Sequence, residues 1–236
     1  MNLMQITDRL CEQTDRLTFE PPIAYIYNPL KYARAGWDAY LRAYGEAPRD
    51  VLLVGMNPGP FGMVQTGVPF GDVPSVRDWM GLKAEVGRPP REHPRRPVDG
   101  FSCGRREVSG QRLWGWAAKR FGKAERFFER FFVANYCPLC FLEESGRNRT
   151  PDKLKAAERV PLFSACDRAL VSTVDCLRPK YVLGIGVFAE NRIRNVLEGR
   201  DPHIGRILHP SPANPAANRG WEEAVERTFK QLGVDI

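Results

Sequence analysis

Four short apolar runs punctuate the chain, at 51–54 (VLLV), 130–135 (RFFVAN), 181–186 (YVLGIG) and 205–209 (GRILH). They are rich in Val, Ile, Leu and Phe and lack polar alternation, the pattern of strands covered on both faces in a parallel sheet. Amphipathic helical stretches separate them, at 31–44, 112–122, 150–180, 187–199 and 220–233. Thr150 as N-cap and Pro151 at the first helical position open the long stretch, and Pro161 is expected to kink or split it. Glycines 199 and 233 close the last two. The first seventeen residues are polar with a helical period. Strands alternating with helices predict an α/β fold, a three-layer α/β/α sandwich with a central, mainly parallel four-stranded sheet. No repeat or linker interrupts it, so residues 1–236 are read as a single domain.

Composition narrows this picture. A chain of 236 residues that is 43% hydrophobic can bury a sizeable core. No stretch approaches the ~20 apolar residues needed to span a bilayer, and the N-terminus is not a signal peptide, so the expectation is an intracellular protein with no membrane partner. A formal charge of +7 and a pI near 9.2 favour a polyanionic partner. Six cysteines, at 11, 103, 137, 140, 166 and 176, are too few for a disulfide scaffold. Only Cys137 and Cys140 form a CxxC, without the further ligands that a metal would need, and both read as small buried hydrophobes. The segment 87–110, with four prolines and six arginines, is either a solvated loop or a basic flank to a nucleic-acid groove.

In open α/β sheets, ligands bind beyond the carboxyl ends of the strands. The four runs are followed by GMNPGPFG, NYCPL, GVFAE and HPSPANP. Asn57, Asn135 and His209 therefore converge on one crevice. The loop after the first run carries glycines 55, 59, 62, 67 and 71 but has neither phosphate-binding spacing, and Pro58, Pro60 and Pro69 remove the N–H donors of a phosphate nest. A close-approaching backbone with one amide (Asn57) and one ring (Phe70) suits a flat, uncharged, polar ligand such as a nucleobase. Of three histidines, His93 and His203 sit in surface-like contexts, which leaves His209 for the crevice. No Ser-His-Asp order, paired carboxylates or HExxH competes for the site. Trp79, Trp114, Trp116 and Trp221 read as packing residues.

The stretches GMNPGPFGMVQTGVPFGDV, FFVANYCPLCFL, SGRNRTP and HPSPANPAANRGWE resemble the single-strand-selective monofunctional uracil-DNA glycosylases of the uracil-DNA glycosylase superfamily, from about residue 20 to the C-terminus. That resemblance implies a sandwich fold and a cofactor-free glycosylase that flips uracil, and 5-hydroxymethyluracil or related bases, out of single- and double-stranded DNA as a monomer. By it, Asn57 positions the attacking water and His209 stabilises the departing base through O2. Asn135 reads the O4 and N3–H edge, Phe70 stacks on the base, and Gly55, Met56, Gly59, Gly62 and Met63 shape the pocket, with Met63 on the C5 side. The loop Pro210, Ser211, Pro212, Ala213 and Asn214, with Arg219 beyond it, matches the wedge that enters DNA. Relatives often carry a basic residue where Ala213 stands, which implies a weaker wedge here. No lysine lies in either long motif, so a Schiff-base lyase step is not expected. The competing readings are a superfamily glycosylase for hypoxanthine, xanthine or mispaired thymine, a DNA-binding relative without catalysis, and a metal protein built on Cys137 and Cys140.

Overall fold

The computed structural model describes residues 1–46 and 48–236. In chain order the elements are α1 (Leu3–Asp15), β1 (Ile23–Tyr27), α2 (Pro29–Tyr32), α3 (Arg34–Tyr44), β2 (Val51–Gly55), α4 (Met63–Thr66), α5 (Val108–Phe121), α6 (Ala124–Phe128), β3 (Phe131–Asn135), β4 (Cys140–Glu143), β5 (Asn148–Arg149), α7 (Ala156–Leu177), β6 (Tyr181–Ile185), α8 (Val187–Val196), β7 (His203–Ile207), α9 (Pro215–Asn218) and α10 (Trp221–Leu232).

The four apolar runs form one sheet in the order β3-β2-β6-β7, and every pairing in it is parallel. Central β2 is buried along its whole length, whereas edge strand β7 exposes His203 and Arg206. Alternation of side chains along the strands separates the two faces. Leu52, Val54, Phe132 and Ala134 point towards α1, α2, α3 and α7, where they share a small hollow with Leu3, Leu30, Trp37 and Leu170. On the opposite face Phe131 packs on Phe121 of α5, Phe127 of α6 and Phe229 of α10. Helices cover both faces, as the strand–helix alternation predicts.

A second, antiparallel sheet, β1-β4-β5, was not foreseen. Its strands are two to five residues long, and β4 and β5 are joined by a short turn through Ser145 and Gly146, too brief a hairpin to stand out among the apolar runs. Other boundaries also shift. The helix expected over 31–44 divides at Ala33 into α2 and α3. Thr150 precedes only a 3-10 turn, Pro151–Lys153, with no capping bond from its side chain, and α7 begins at Ala156. There the Glu158 carboxylate accepts the Lys155 N–H at 3.2 Å and the Glu20 N–H at 2.7 Å. Pro161 does not split α7, which runs unbroken for 22 residues. Pro161 and Ala157, whose carbonyl loses its helical partner, are both exposed, so the unpaired carbonyl is not sealed in the core.

Candidate active site

The parallel sheet brings its four carboxyl ends to one edge, and the loops that leave it there enclose a crevice of about 370 Å³. Asn57, Asn135 and His209 all line it, with Met56, Gly59, Gly62, Met63 and Phe70. Each polar group is held by specific bonds. The β2–β3 ladder continues past the strand ends, with Tyr136 N–H donating to the Gly55 carbonyl and Cys137 N–H to that of Met56, both at 2.9 Å. That fixes the CPLC turn beside Asn57, whose Nδ2 donates to the Leu139 carbonyl at 3.1 Å. With its donor end committed, Asn57 keeps Oδ1 as a free acceptor.

Asn135 ends β3 in register with Gly55. A Cβ on Gly55 would fall 2.4 Å from Asn135 Oδ1 and 2.7 Å from the Phe70 ring, so only glycine lets amide and ring close over the strand end. Gly55 thus sits behind the crevice rather than lining it. Asn135 Nδ2 finds only the Met63 sulfur, a weak acceptor at 3.3 Å, and its buried Oδ1 has no partner. An unsatisfied buried amide oxygen is costly, and in a pocket wall it is a group waiting for a donor.

Phe70 adopts a positive φ of 53°, rare for an aromatic residue. Its carbonyl accepts from Asp72 N–H at 2.7 Å and from the Trp114 indole at 2.9 Å. It lies so close to α5 that a Cβ on Gly110 would meet it at 2.1 Å. The strained turn is over-determined, and the ring is aimed into the crevice, 6.3 Å from that of His209. Below it, the Gln65 amide is fully used. Its Nε2 donates to the carbonyls of Pro60 and Pro97, both at 2.9 Å, and its Oε1 accepts from Asp99 and Gly100 at 2.9 and 3.1 Å. The arginine-rich excursion is thereby tied to the GMNPGP loop, and His93, expected at the surface, is 1% exposed because it packs under Gly146 and bonds Glu144.

His209 stands two residues beyond β7. Its Nδ1 accepts the Ser211 N–H at 3.1 Å, which leaves the hydrogen of the neutral ring on Nε2. Burial holds its pKa below the ordinary imidazole value and favours that neutral form. Arg112 anchors the loop by donating to the Pro210 carbonyl at 3.0 Å and to the Asn218 amide oxygen at 2.8 Å, and the Trp221 indole donates to the Leu208 carbonyl at 2.7 Å. Pro212 and Ala213 form the exposed tip, Asn214 caps α9, and Arg219 is exposed outside the crevice. Trp114 and Trp221 therefore do more than pack, since each grips the backbone of one loop at the crevice.

Pro60 and Ser211 also line it, and sequence reasoning missed Glu107, Ser109, Asn148 and Thr150, which complete the lining. Glu107 had a signal available: an acid directly after Arg105 and Arg106, at a helix start. Cys137 and Cys140 are buried free thiols, and no group of three or more His, Cys, Asp or Glu among the described residues could hold a metal.

Comparison with known proteins agrees with this architecture. The crystal structure of wild-type Pedobacter heparinus SMUG2 shares the fold, with a TM-score of 0.65 over 98% of this chain and 99% of that one at 19% identity. The family model of the uracil DNA glycosylase superfamily matches residues 43–232. The single-strand selective monofunctional uracil-DNA glycosylase of Rattus norvegicus is 47% identical over 96% of this chain and 82% of its own length. Its Bos taurus counterpart is 46% identical over 96% and 84%. The chain belongs to the uracil-DNA glycosylase superfamily and, within it, to the family of these single-strand selective monofunctional enzymes.

Proposed function

We propose that this protein hydrolyses the N-glycosidic bond of uracil in DNA, single- or double-stranded, acting as a monomer and leaving an abasic site. The observation that carries the reading is the Asn135 amide, buried at the crevice wall with Oδ1 unpartnered and Nδ2 on a sulfur alone. Uracil supplies both missing partners, N3–H for Oδ1 and O4 for Nδ2. Cytosine presents a donor where uracil has O4 and an acceptor where it has N3–H, so the amide stays unpaired. A flipped base stacks on Phe70, returning ~1–3 kcal/mol against the few kcal/mol of leaving the helix.

Chemistry follows from the two remaining polar groups. As the C1′–N1 bond breaks, its electron pair passes to the base and delocalises onto O2. The neutral His209 Nε2–H donates to that oxygen without first losing a proton, a preorganised donor worth about 3–4 kcal/mol. The sugar becomes oxocarbenium-like, and Asn57 Oδ1 holds a water at C1′. The water oxygen bonds to C1′ and releases its proton, and uracil leaves protonated at nitrogen. Asn57 is a poor base, but a water attacking a cation needs orientation more than deprotonation. The 209–214 loop enters the space that the base vacates, with Pro212 and Ala213 at its tip. The same pocket admits 5-hydroxymethyluracil.

Purified protein, in chelator, is expected to release uracil from single- and double-stranded oligonucleotides and to leave sites that break only after alkali. Absence of uracil release from every such substrate overturns the reading.

A further inference from the structure

Six arginines lie in the excursion from 87 to 110, and the fold ties down four of them. Arg88 pairs with Glu92 at 2.7 Å, Arg91 with Glu144 at 3.5 Å and Arg106 with Asp72 at 2.7 Å. Arg95 donates to the Ser145 carbonyl. Arg96 and Arg105 have no ion-pair partner among the described residues. Both guanidinium groups instead lie over one ring, that of Phe61, with Arg105 3.9 Å and Arg96 5.4 Å from its centroid. Arg96 Nη1 donates to the adjacent Arg95 carbonyl at 3.0 Å, and its buried Nε has no partner. Arg105 is exposed, and the Phe61 ring is half-buried.

The place of this cluster gives it a meaning. Phe61 belongs to the turn whose Gly59, Pro60 and Gly62 line the crevice, but it is not itself part of the lining. The ring and its two cations therefore stand at the crevice rim, outside the base pocket. Gln65 fixes them to it, because its Nε2 bonds the carbonyls of Pro60 and Pro97, the neighbours of Phe61 and Arg96. A strand that sends a base into the crevice keeps its phosphates outside, and the rim is where two uncompensated positive charges wait.

We propose that Phe61, Arg96 and Arg105 form a seat for backbone phosphates of the DNA strand that carries the flipped base. The inference rests on the crevice taking a base from DNA, as described above. A guanidinium stacked on a ring keeps its edge N–H groups free, and their spacing matches two phosphate oxygens. The ring holds the cations in place before DNA arrives, so less side-chain freedom is lost on binding. The seat grips one strand whether or not a complement is present. The 209–214 loop, which fills a vacated stack, has work to do only in a duplex.

The test is a gel-shift titration with a single-stranded oligonucleotide carrying a tetrahydrofuran abasic analogue, repeated over a range of salt concentrations. Arg105→Ala should weaken binding roughly fivefold at low salt. It should also flatten the slope of log affinity against log salt by about 0.7, the value of one phosphate contact on a single strand. Arg105→Lys, which keeps the charge but not the planar fork, should hold the slope and recover only part of the affinity. Phe61→Leu, which keeps both charges and removes their seat, should weaken binding about two- to fivefold with little change of slope. Arg88→Ala removes an exposed arginine of the same segment that Glu92 already neutralises, and it should leave the slope unchanged. An unaltered slope in Arg105→Ala overturns the proposal. Equal effects of Arg88→Ala and Arg105→Ala overturn it too, because general positive charge would then suffice. Uracil release by the unaltered protein is scored in parallel. Its absence sinks the uracil reading, whereas release together with an unaltered slope in Arg105→Ala sinks the seat alone.

Discussion

Asn135 and Met63 form the wall between two hollows of opposite character. On one side lies the crevice of about 370 Å³, lined by Asn57, His209, Glu107 and Asn135, whose buried amide oxygen has no partner. On the other lies a hollow of about 60 Å³ enclosed by Leu3, Ile6, Leu10, Trp37, Leu52 and Phe132. The apolar one has room for a few small atoms but almost nothing to bond them, and such spaces stay dry. The polar one holds donors and acceptors whose partners the fold withholds, although the same strands build both. Unsatisfied polarity, rather than empty volume, separates a site of chemistry from a packing defect.

The sharpest way to break this comparison is to remove the crevice's polarity. His209→Ala should lower kcat roughly 10²–10³-fold, the usual loss of one preorganised donor at a developing oxyanion. Asn57→Ala should lower kcat by about a hundredfold or more while DNA binding stays, since it orients water and not the base. Single-turnover rates with a parallel gel-shift titration check both. The pH profile adds a sign. Protonating His209 puts hydrogens on both nitrogens and breaks the Ser211 bond, so the loop loses order as pH falls. Because burial lowers the imidazole's pKa, activity should persist below the ordinary imidazole value before it declines. Activity that instead fell as pH rose through the imidazole range would mean that His209 works as the imidazolium.

Asn135→Ala should act on discrimination more than on rate. Losing two bonds to the uracil edge, about 1–3 kcal/mol, should narrow the uracil-over-cytosine preference by roughly tenfold to a hundredfold. The assay is competitive release from oligonucleotides that differ in that one base. If uracil release falls as far as in Asn57→Ala and cytosine is still refused, the wall's polarity serves catalysis and not reading.

How these features showed in sequence follows from the same contrast. The sheet was legible because β2, β3 and β6 are continuous apolar runs, and Asn57, Asn135 and His209 could be placed because each lies at or just past a strand end. The antiparallel β1-β4-β5 sheet was not, since its strands are short and interleaved with loops. His93 looked exposed among arginines and prolines, and only the fold brings Gly146 and the Glu144 carbonyl onto its ring. Glu107 was hidden for the same reason. Its character depends on Asp72 monopolising Arg106, a tertiary fact. Trp114 and Trp221 were read as packing because sequence shows a ring's bulk but not the carbonyl its N–H will find.

The mildest test fills the dry hollow from its far wall. Ala169 lines it from α7 and makes no contribution to the crevice. Ala169→Leu extends into that space, and at roughly 24 cal/mol per Å³ a hollow of 60 Å³ corresponds to about 1 kcal/mol of recoverable stability. Thermal unfolding should therefore shift upward by a few degrees at most, with uracil release unchanged, since no polar partner is altered. A higher melting temperature together with slower release would show that Met63 needs the hollow to move when a base enters. The two hollows would then be one working site divided by a yielding wall. Unchanged release at higher stability would leave the wall rigid, with Met63 fixed between a packed core and a reading face.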